Sequence, residues 1–167
     1  MTTIEEKLQE ITIPFICRRI KRELQDIKKA GIFCDDNNVS IINNCETGFD
    51  VIFKNNKDNR LYKFIVPYNY PFLPPKLELN NKPYSSYFSF RSDKFKELFY
   101  RHKGERCFCC ETKLCGTNWG PPVTFIHIIE EISSFHKDCR EIADIVIVDV
   151  IKRKYLIDDI NILEWLY

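Results

Sequence analysis

A chain of 167 residues, 44% hydrophobic and 29% charged, has the size and composition of one ordinary globular domain that can bury a full core without disulfide or metal staples. Its 25 basic residues stand against 24 acidic ones, so no global field recruits it to nucleic acid or to a membrane. Function is therefore expected in a local site.

The first residues, MTTIEEKLQE, are charged and lack the apolar stretch of a secretory signal. Further along, no apolar run approaches the roughly 18–20 residues that cross a bilayer. The expectation is a cytoplasmic or nuclear protein whose eight cysteines are thiols, metal ligands or a nucleophile rather than disulfides. The opening reads as helical and is split at Pro14, because proline is tolerated only in a helix's first turn. From there Ile16, Ile20, Leu24 and Ile27 recur at helical spacing, with Arg18, Arg19, Lys21 and Arg22 on a basic outer face. Ala30-Gly31 supplies the stop. Three stretches rich in β-branched and aromatic residues follow, Val39 to Ile42, Phe49 to Phe53 and Leu61 to Val66, with a turn-forming run at 55–59. Lys76 to Leu79 alternates as a short fourth strand. One helix followed by an antiparallel meander predicts an α+β fold.

Residues 81–106 mix aromatic and basic side chains. Such a mixture can stack on single-stranded nucleic acid, but Asp93 to Phe99 reads as a short amphipathic helix and the aromatics as the edge of a core. After Pro122, helical spacing resumes through Phe125, Ile129, Ile132 and Phe135, with His127 read as a histidine at the core edge. The last thirty residues carry further apolar periodicity through Ile160, Leu163 and Leu166 and predict C-terminal helices, although Ile145 to Val150 is β-branched enough to suit a strand. The expected architecture is an N-terminal helix, a four-stranded antiparallel meander sheet and C-terminal helices.

One stretch is more specific. VPYNYPFLPPKLEL, residues 66–79, ends a strand in Val66-Pro67, continues as Tyr70-Pro71-Phe72-Leu73-Pro74-Pro75 and enters another strand. It resembles the signature of ubiquitin-conjugating enzymes. Prolines fix φ and remove donors, which suits a rigid crossing that displays Phe72 outward. The segment from Arg19 to Ile27 is similar to that family's first helix, and Trp119-Gly120-Pro121 to its Trp-x-Pro element before a long helix. The resemblance covers about residues 14–137 and implies a single domain of this type over 1–167, with a C-terminal helical extension over about 138–167.

What the resemblance implies about activity centres on a cysteine shortly before the Trp-x-Pro, which receives ubiquitin's C-terminus as a thioester. Such chemistry needs a thiol able to ionise and a donor for the tetrahedral oxyanion. GERCFCCETKLCGTNW offers Cys107, Cys109, Cys110 and Cys115. Cys107 best fits the family pattern of glycine, two residues, cysteine and a large apolar residue, and Arg106 and Lys103 would favour its thiolate; Cys110 lies nearer the family's usual distance from the tryptophan. The family's His-Pro-Asn tripeptide, source of the oxyanion asparagine, is missing: Tyr100-Arg101-His102 stands near its place, with His102 or Asn118 as substitutes. The same cysteines have a rival use, since C-x2-C-x4-C over Cys107, Cys110 and Cys115, with Cys109 or His102, suits a small zinc knuckle. The remaining Cys17, Cys34, Cys45 and Cys139 are read as small buried hydrophobes.

On this reading the chain accepts ubiquitin or a ubiquitin-like protein on Cys107 from an activating enzyme and passes it to a substrate lysine, with Glu111 a candidate helper in deprotonating the amine. The basic helix, with Arg18 and Arg22, would dock on the activating enzyme, while Phe72 and the Pro121-Pro122 loop would face a ligase. The carrier itself implies no cofactor, and neither nucleic acid nor membrane is an expected partner. The alternative is an inactive variant of the fold that binds ubiquitin or another partner, with or without zinc.

Overall fold

The computed structural model describes residues 4, 14–44, 48–90, 92–104 and 111–155. Helix α1 runs Pro14–Lys29 and buries the stripe of Ile16, Ile20, Leu24 and Ile27. It stops where Gly31 turns to φ +69°: the Gly31 amide donates to the Lys28 carbonyl at 2.9 Å and the Ile32 amide to the Ile27 carbonyl at 3.2 Å. That pair of bonds is a Schellman cap, and it satisfies carbonyls the helix itself cannot.

The sheet is a meander in the order β1 (Val39–Asn44), β2 (Gly48–Lys54), β3 (Leu61–Val66), β4 (Lys76–Leu79) and β5 (Lys82–Pro83), every neighbour antiparallel. Period-2 alternation turns Phe53, Tyr62, Phe64, Leu77 and Leu79 inward as buried side chains. Phe53 stacks on Tyr62 at 5.6 Å and Phe64 on Phe125 at 4.1 Å between ring centroids. Gly48 opens β2 at φ +132°, where a Cβ would lie 1.9 Å from the Val66 carbonyl oxygen. Only glycine fits there.

The sheet has five strands rather than the four expected. Asn80 and Asn81 adopt φ +49° and +63°, which makes a two-residue turn of the type that matches sheet twist. Lys82 thereby pairs with Leu79 and Pro83 with Glu78. The Asn-Asn dipeptide is the turn signal, and Pro83 is accommodated because β5 is the sheet's edge.

By its contacts the chain divides into two compact units, Met1–Ser89 with Arg106–Glu131, and Phe90–Glu105 with Ile132–Tyr167. The first holds α1, the sheet and their core. In the second, helix α2 (Asp93–Lys103) starts with Ser92 accepting the Phe95 amide at 3.1 Å and ends at Gly104, φ +83°. Phe90, Phe99 and Phe135 form an aromatic cluster with centroids 5.0–6.0 Å apart. Helix α3 runs unbroken over Phe125–Tyr155 and contributes its residues as far as Glu131 to the first unit. Ile145 to Val150 is helical, and one helix stands where several were expected up to Tyr155. β-Branching costs only tenths of a kcal/mol per residue in a helix that is already nucleated. Ile160, Leu163 and Leu166 lie outside the described residues. No helix among the described residues is long and apolar enough to cross a membrane.

Candidate functional site

The proline-rich connection between β3 and β4 alternates buried and displayed residues. The Tyr70 amide donates to the Pro67 carbonyl at 3.0 Å and the Phe72 amide to the Asn69 carbonyl at 2.8 Å, two successive turns around a cis Tyr70–Pro71 peptide. Tyr70, Pro71 and Pro75 face inward, whereas Phe72 is 71% exposed, with Leu73 and Tyr68 also in solvent. A phenylalanine held this far out by a backbone that is itself anchored carries a packing surface that the fold does not use.

The anchor is a second loop. Trp119 donates its indole N–H to the Pro71 carbonyl at 2.8 Å and lies 5.9 Å from the Tyr70 ring. The loop then turns, the Val123 amide donating to the Gly120 carbonyl at 2.9 Å, and leaves Pro121 and Pro122 exposed. Phe72 and Pro121, singled out separately in the sequence, thus sit on two loops tied directly together.

Beneath them lies Glu23, a carboxylate only 2% exposed. The Tyr70 hydroxyl and Arg19 Nε donate to its Oε1, and the Phe125 amide donates to Oε2 at 2.9 Å. Arg19 Nη2 then reaches on to the carbonyls of Pro121 at 2.7 Å and Val123 at 3.1 Å. One buried ion pair therefore joins α1, the proline-rich loop, the Trp119 loop and the start of α3. Burial raises the Glu23 carboxyl above its ordinary range, opposed without being cancelled by the Tyr70 hydroxyl, the Phe125 amide and Arg19. The same burial, together with Glu23, pushes the Tyr70 phenol up.

This overturns one reading of α1. Arg18 and Arg22 are exposed as expected, but Arg19 does not belong to the basic outer face, because its guanidinium is turned inward onto Glu23 and two carbonyls more than a hundred residues away. Neither Arg19 nor Glu23 stood out as a site residue. A signal existed: Glu23 lies seven residues after Ile16 and four before Ile27, inside the apolar stripe, where a charge must find a partner. Phe15 is 54% exposed at the start of the same helix.

Cys107, Cys109 and Cys110 lie outside the described residues, as does Arg106. Thr112 to Trp119 form a tightly bonded loop. Cys115 donates its amide to the Thr112 carbonyl at 3.0 Å, and its Sγ is 3.2 Å from the Thr117 hydroxyl. Asn118 donates its side-chain amide to the Thr112 carbonyl at 3.2 Å. Glu131 of α3 pins this loop, accepting the Lys113 amide at 3.1 Å and the Tyr84 hydroxyl. A cleft of about 410 Å³ beside it is lined by Tyr84, Ser85, Phe88, Thr112, Leu114 and Cys115 among others. Among the described residues no group of three or more His, Cys, Asp or Glu is placed to hold a metal ion.

His102 is exposed near the end of α2. Lys103 is engaged by Glu141 at 2.6 Å and Asp138 at 2.9 Å, which raise its pKa. His127 is exposed rather than at the core edge: its Nδ1 accepts the Thr124 amide at 3.2 Å, a capping contact at the start of α3. Cys34 is exposed rather than buried, its Sγ accepting from the Asn56 amide at 3.4 Å. Its place in the turn after α1 keeps it off any apolar stripe. Cys17 and Cys139 are half-buried, and burial raises both thiols, Cys139 to about 11 with help from Asp138. Neither suits a nucleophile. Glu111 is exposed, and Cys45 lies outside the described residues.

Compared with known proteins, the chain matches no family model, no curated protein and no solved structure.

Proposed function

We propose that this chain is a divergent ubiquitin-conjugating enzyme that accepts ubiquitin or a ubiquitin-like protein on Cys107 as a thioester and passes it to a substrate lysine. The observation that carries the reading is the pair of proline-bearing loops, locked together through Trp119, Pro71 and the buried Glu23–Arg19 pair, with Phe72 exposed on one loop and Pro121-Pro122 on the other. Such a rigid apolar projection suits transient docking, because little side-chain or loop entropy is lost on binding. A ligase is the partner proposed for it, and the exposed Arg18 and Arg22 on α1 are proposed for the activating enzyme.

The chemistry is a thioester exchange. The Cys107 thiolate attacks the activating enzyme's thioester carbonyl, the activating enzyme's thiolate leaves, and a neutral lysine amine later displaces Cys107 with loss of its proton. A charging reaction with activating enzyme, ATP and ubiquitin, run on a non-reducing gel, tests this. The expected result is a thiol-sensitive adduct that disappears in Cys107→Ser. Survival there with loss in Cys110→Ser would move the site.

A second reading, a ubiquitin- or partner-binding module of the same fold, is favoured by one observation. Asn118, a candidate for the oxyanion donor, commits one of its two side-chain N–H groups to the Thr112 carbonyl. Persistent failure to charge, together with binding that depends on Phe72, would establish that reading instead.

A further inference from the structure

The far part of α3 is apolar on nearly every side. Past the buried Ile142, the side chains of Ile145, Ile147, Val148, Val150 and Ile151 are 43–55% exposed. A helix of this kind is ordinarily covered. Toward α2 the surface is concave: a groove of about 590 Å³ has Leu98, Ile145, Val146 and Val150 as its apolar lining. Lys94 and Arg101 of α2 stand on one side and Asp149 on the other. Arg101 also pairs with Glu97 at 3.0 Å, in solvent. From Val150 the apolar surface continues round α3 and out of the groove. At about 100° per residue, Ile147 stands about 60° beyond Val150 and Ile151 about 40° further. These three side chains form a ridge, and the exposed Asp144 lies on its far flank, about 20° past Ile151.

We propose that groove and ridge are the two halves of one interface, in which a second copy of this chain lays its ridge into the groove and receives the first copy's ridge in return. Three observations select this occupant. The first is arrangement: groove and ridge share Val150 and lie side by side on one helix. A two-fold axis running along that helix therefore closes both contacts at once, as a self-complementary interface requires. The second is charge. The α2 wall of the groove carries Lys94 and Arg101, and the far flank of the ridge carries Asp144. The same rotation sets Asp144 of each copy against Lys94 and Arg101 of the other, which fixes the register. A different protein would have to bring both an apolar ridge and an acidic flank; this chain already has them. The third is size. The half-exposed side chains make an apolar patch in the range of roughly 300–600 Å². With the charged flanks, each copy offers about 600 Å², the low end of specific interfaces. Such an area suits a reversible dimer with a dissociation constant on the order of 1–100 µM rather than a permanent one.

Sedimentation velocity on the full-length chain, from about 1 to about 200 µM, tests this. A reducing buffer excludes disulfides through the exposed Cys34. The native protein is expected to pass from monomer to dimer over that range. Ile147→Asp, at a position 55% exposed, should raise the dissociation constant at least about tenfold and leave far-ultraviolet circular dichroism unchanged. Asp144→Lys should weaken the dimer by setting like charges together. Adding Lys94→Glu and Arg101→Glu to Asp144→Lys should bring the dissociation constant back to within about threefold of the native value. This charge exchange keeps the test valid if Ile147→Asp fails to fold. A chain that stays monomeric at about 200 µM would overturn the proposal and leave the groove to a different protein. So would a dimer that Ile147→Asp leaves intact, or an Asp144→Lys defect that the exchanged charges do not repair.

Discussion

Replacing Glu23 by Gln keeps the shape of the side chain while removing its charge and one of its two acceptor oxygens. Three donors converge on that carboxylate: the Tyr70 hydroxyl, the Phe125 amide and Arg19, which extends to the Pro121 and Val123 carbonyls. An amide nitrogen in place of one oxygen sets donor against donor, and Arg19 loses its counter-charge. Breaking one partner of a buried pair costs about 3–5 kcal/mol. Arg19 keeps two carbonyl acceptors and a side chain 20% exposed, which places the cost near the lower end, about 3 kcal/mol. In a protein of this length that is a fall of about 6–12 °C in Tm. Burial raises the Glu23 carboxyl in the folded state, so the folded protein binds that proton more readily than the unfolded chain. The group's contribution is therefore fully present below its ordinary pKa of 4.5 and declines as pH rises through the raised value. The gap between the two proteins should narrow as pH rises above about 4.5. Thermal unfolding by circular dichroism at several pH values reads both effects. A Tm within about 1 °C of the native protein, or a gap that widens as pH rises, would refute the argument.

Phe72→Ala should change stability by less than about 0.5 kcal/mol, because the ring is 71% exposed, yet weaken ligase-dependent transfer about tenfold or more; equal transfer by both proteins would remove Phe72 from the docking surface. Gly48→Ala drives a Cβ to 1.9 Å from the Val66 carbonyl oxygen and should cost more than about 4 kcal/mol. Gly31→Ala, where the nearest atom is Lys57 Cε at 4.0 Å and only the positive φ is at stake, should cost about 1 kcal/mol by urea titration. Equal costs would contradict the close approach of β2 to β3. In native-state alkylation near pH 8, exposed Cys34 should label at least about tenfold faster than Cys139, whose thiol burial pushes up to about 11. The reverse order by peptide mapping would contradict the burial of Cys139.

Where a segment's structure depends on its own residues, the sequence was a sufficient guide. The Ile16–Ile27 stripe, the Gly31 stop and four of the five strands follow from spacing that any local window contains. The Asn80-Asn81 turn that makes β5 is equally local, carried by a dipeptide that tolerates positive φ. Other features lay beyond any window. Arg19 looks like its neighbours Arg18 and Arg22 on a helical wheel, and only the carbonyls of Pro121 and Val123 make it structural. Glu131 likewise takes its role from Tyr84 and the Lys113 amide. Ile145 to Val150 is helical, as the apolar periodicity predicts and despite its β-branching, since a branched run favours a strand only where a partner edge exists and the nucleated helix simply continues. Phe72 and Pro121 were legible because prolines advertise rigid loops. Their connection through Trp119 and Glu23 was not, being made by contacts between residues far apart in the chain.

The most direct measurement is the intact mass of the chain after incubation with activating enzyme, ATP and ubiquitin, taken under denaturing, non-reducing conditions. A species heavier by one ubiquitin less one water is expected, restored to the starting mass by a reducing thiol and absent in Cys107→Ser. An unchanged mass under conditions that charge a known carrier, or an adduct that survives reduction, would contradict it.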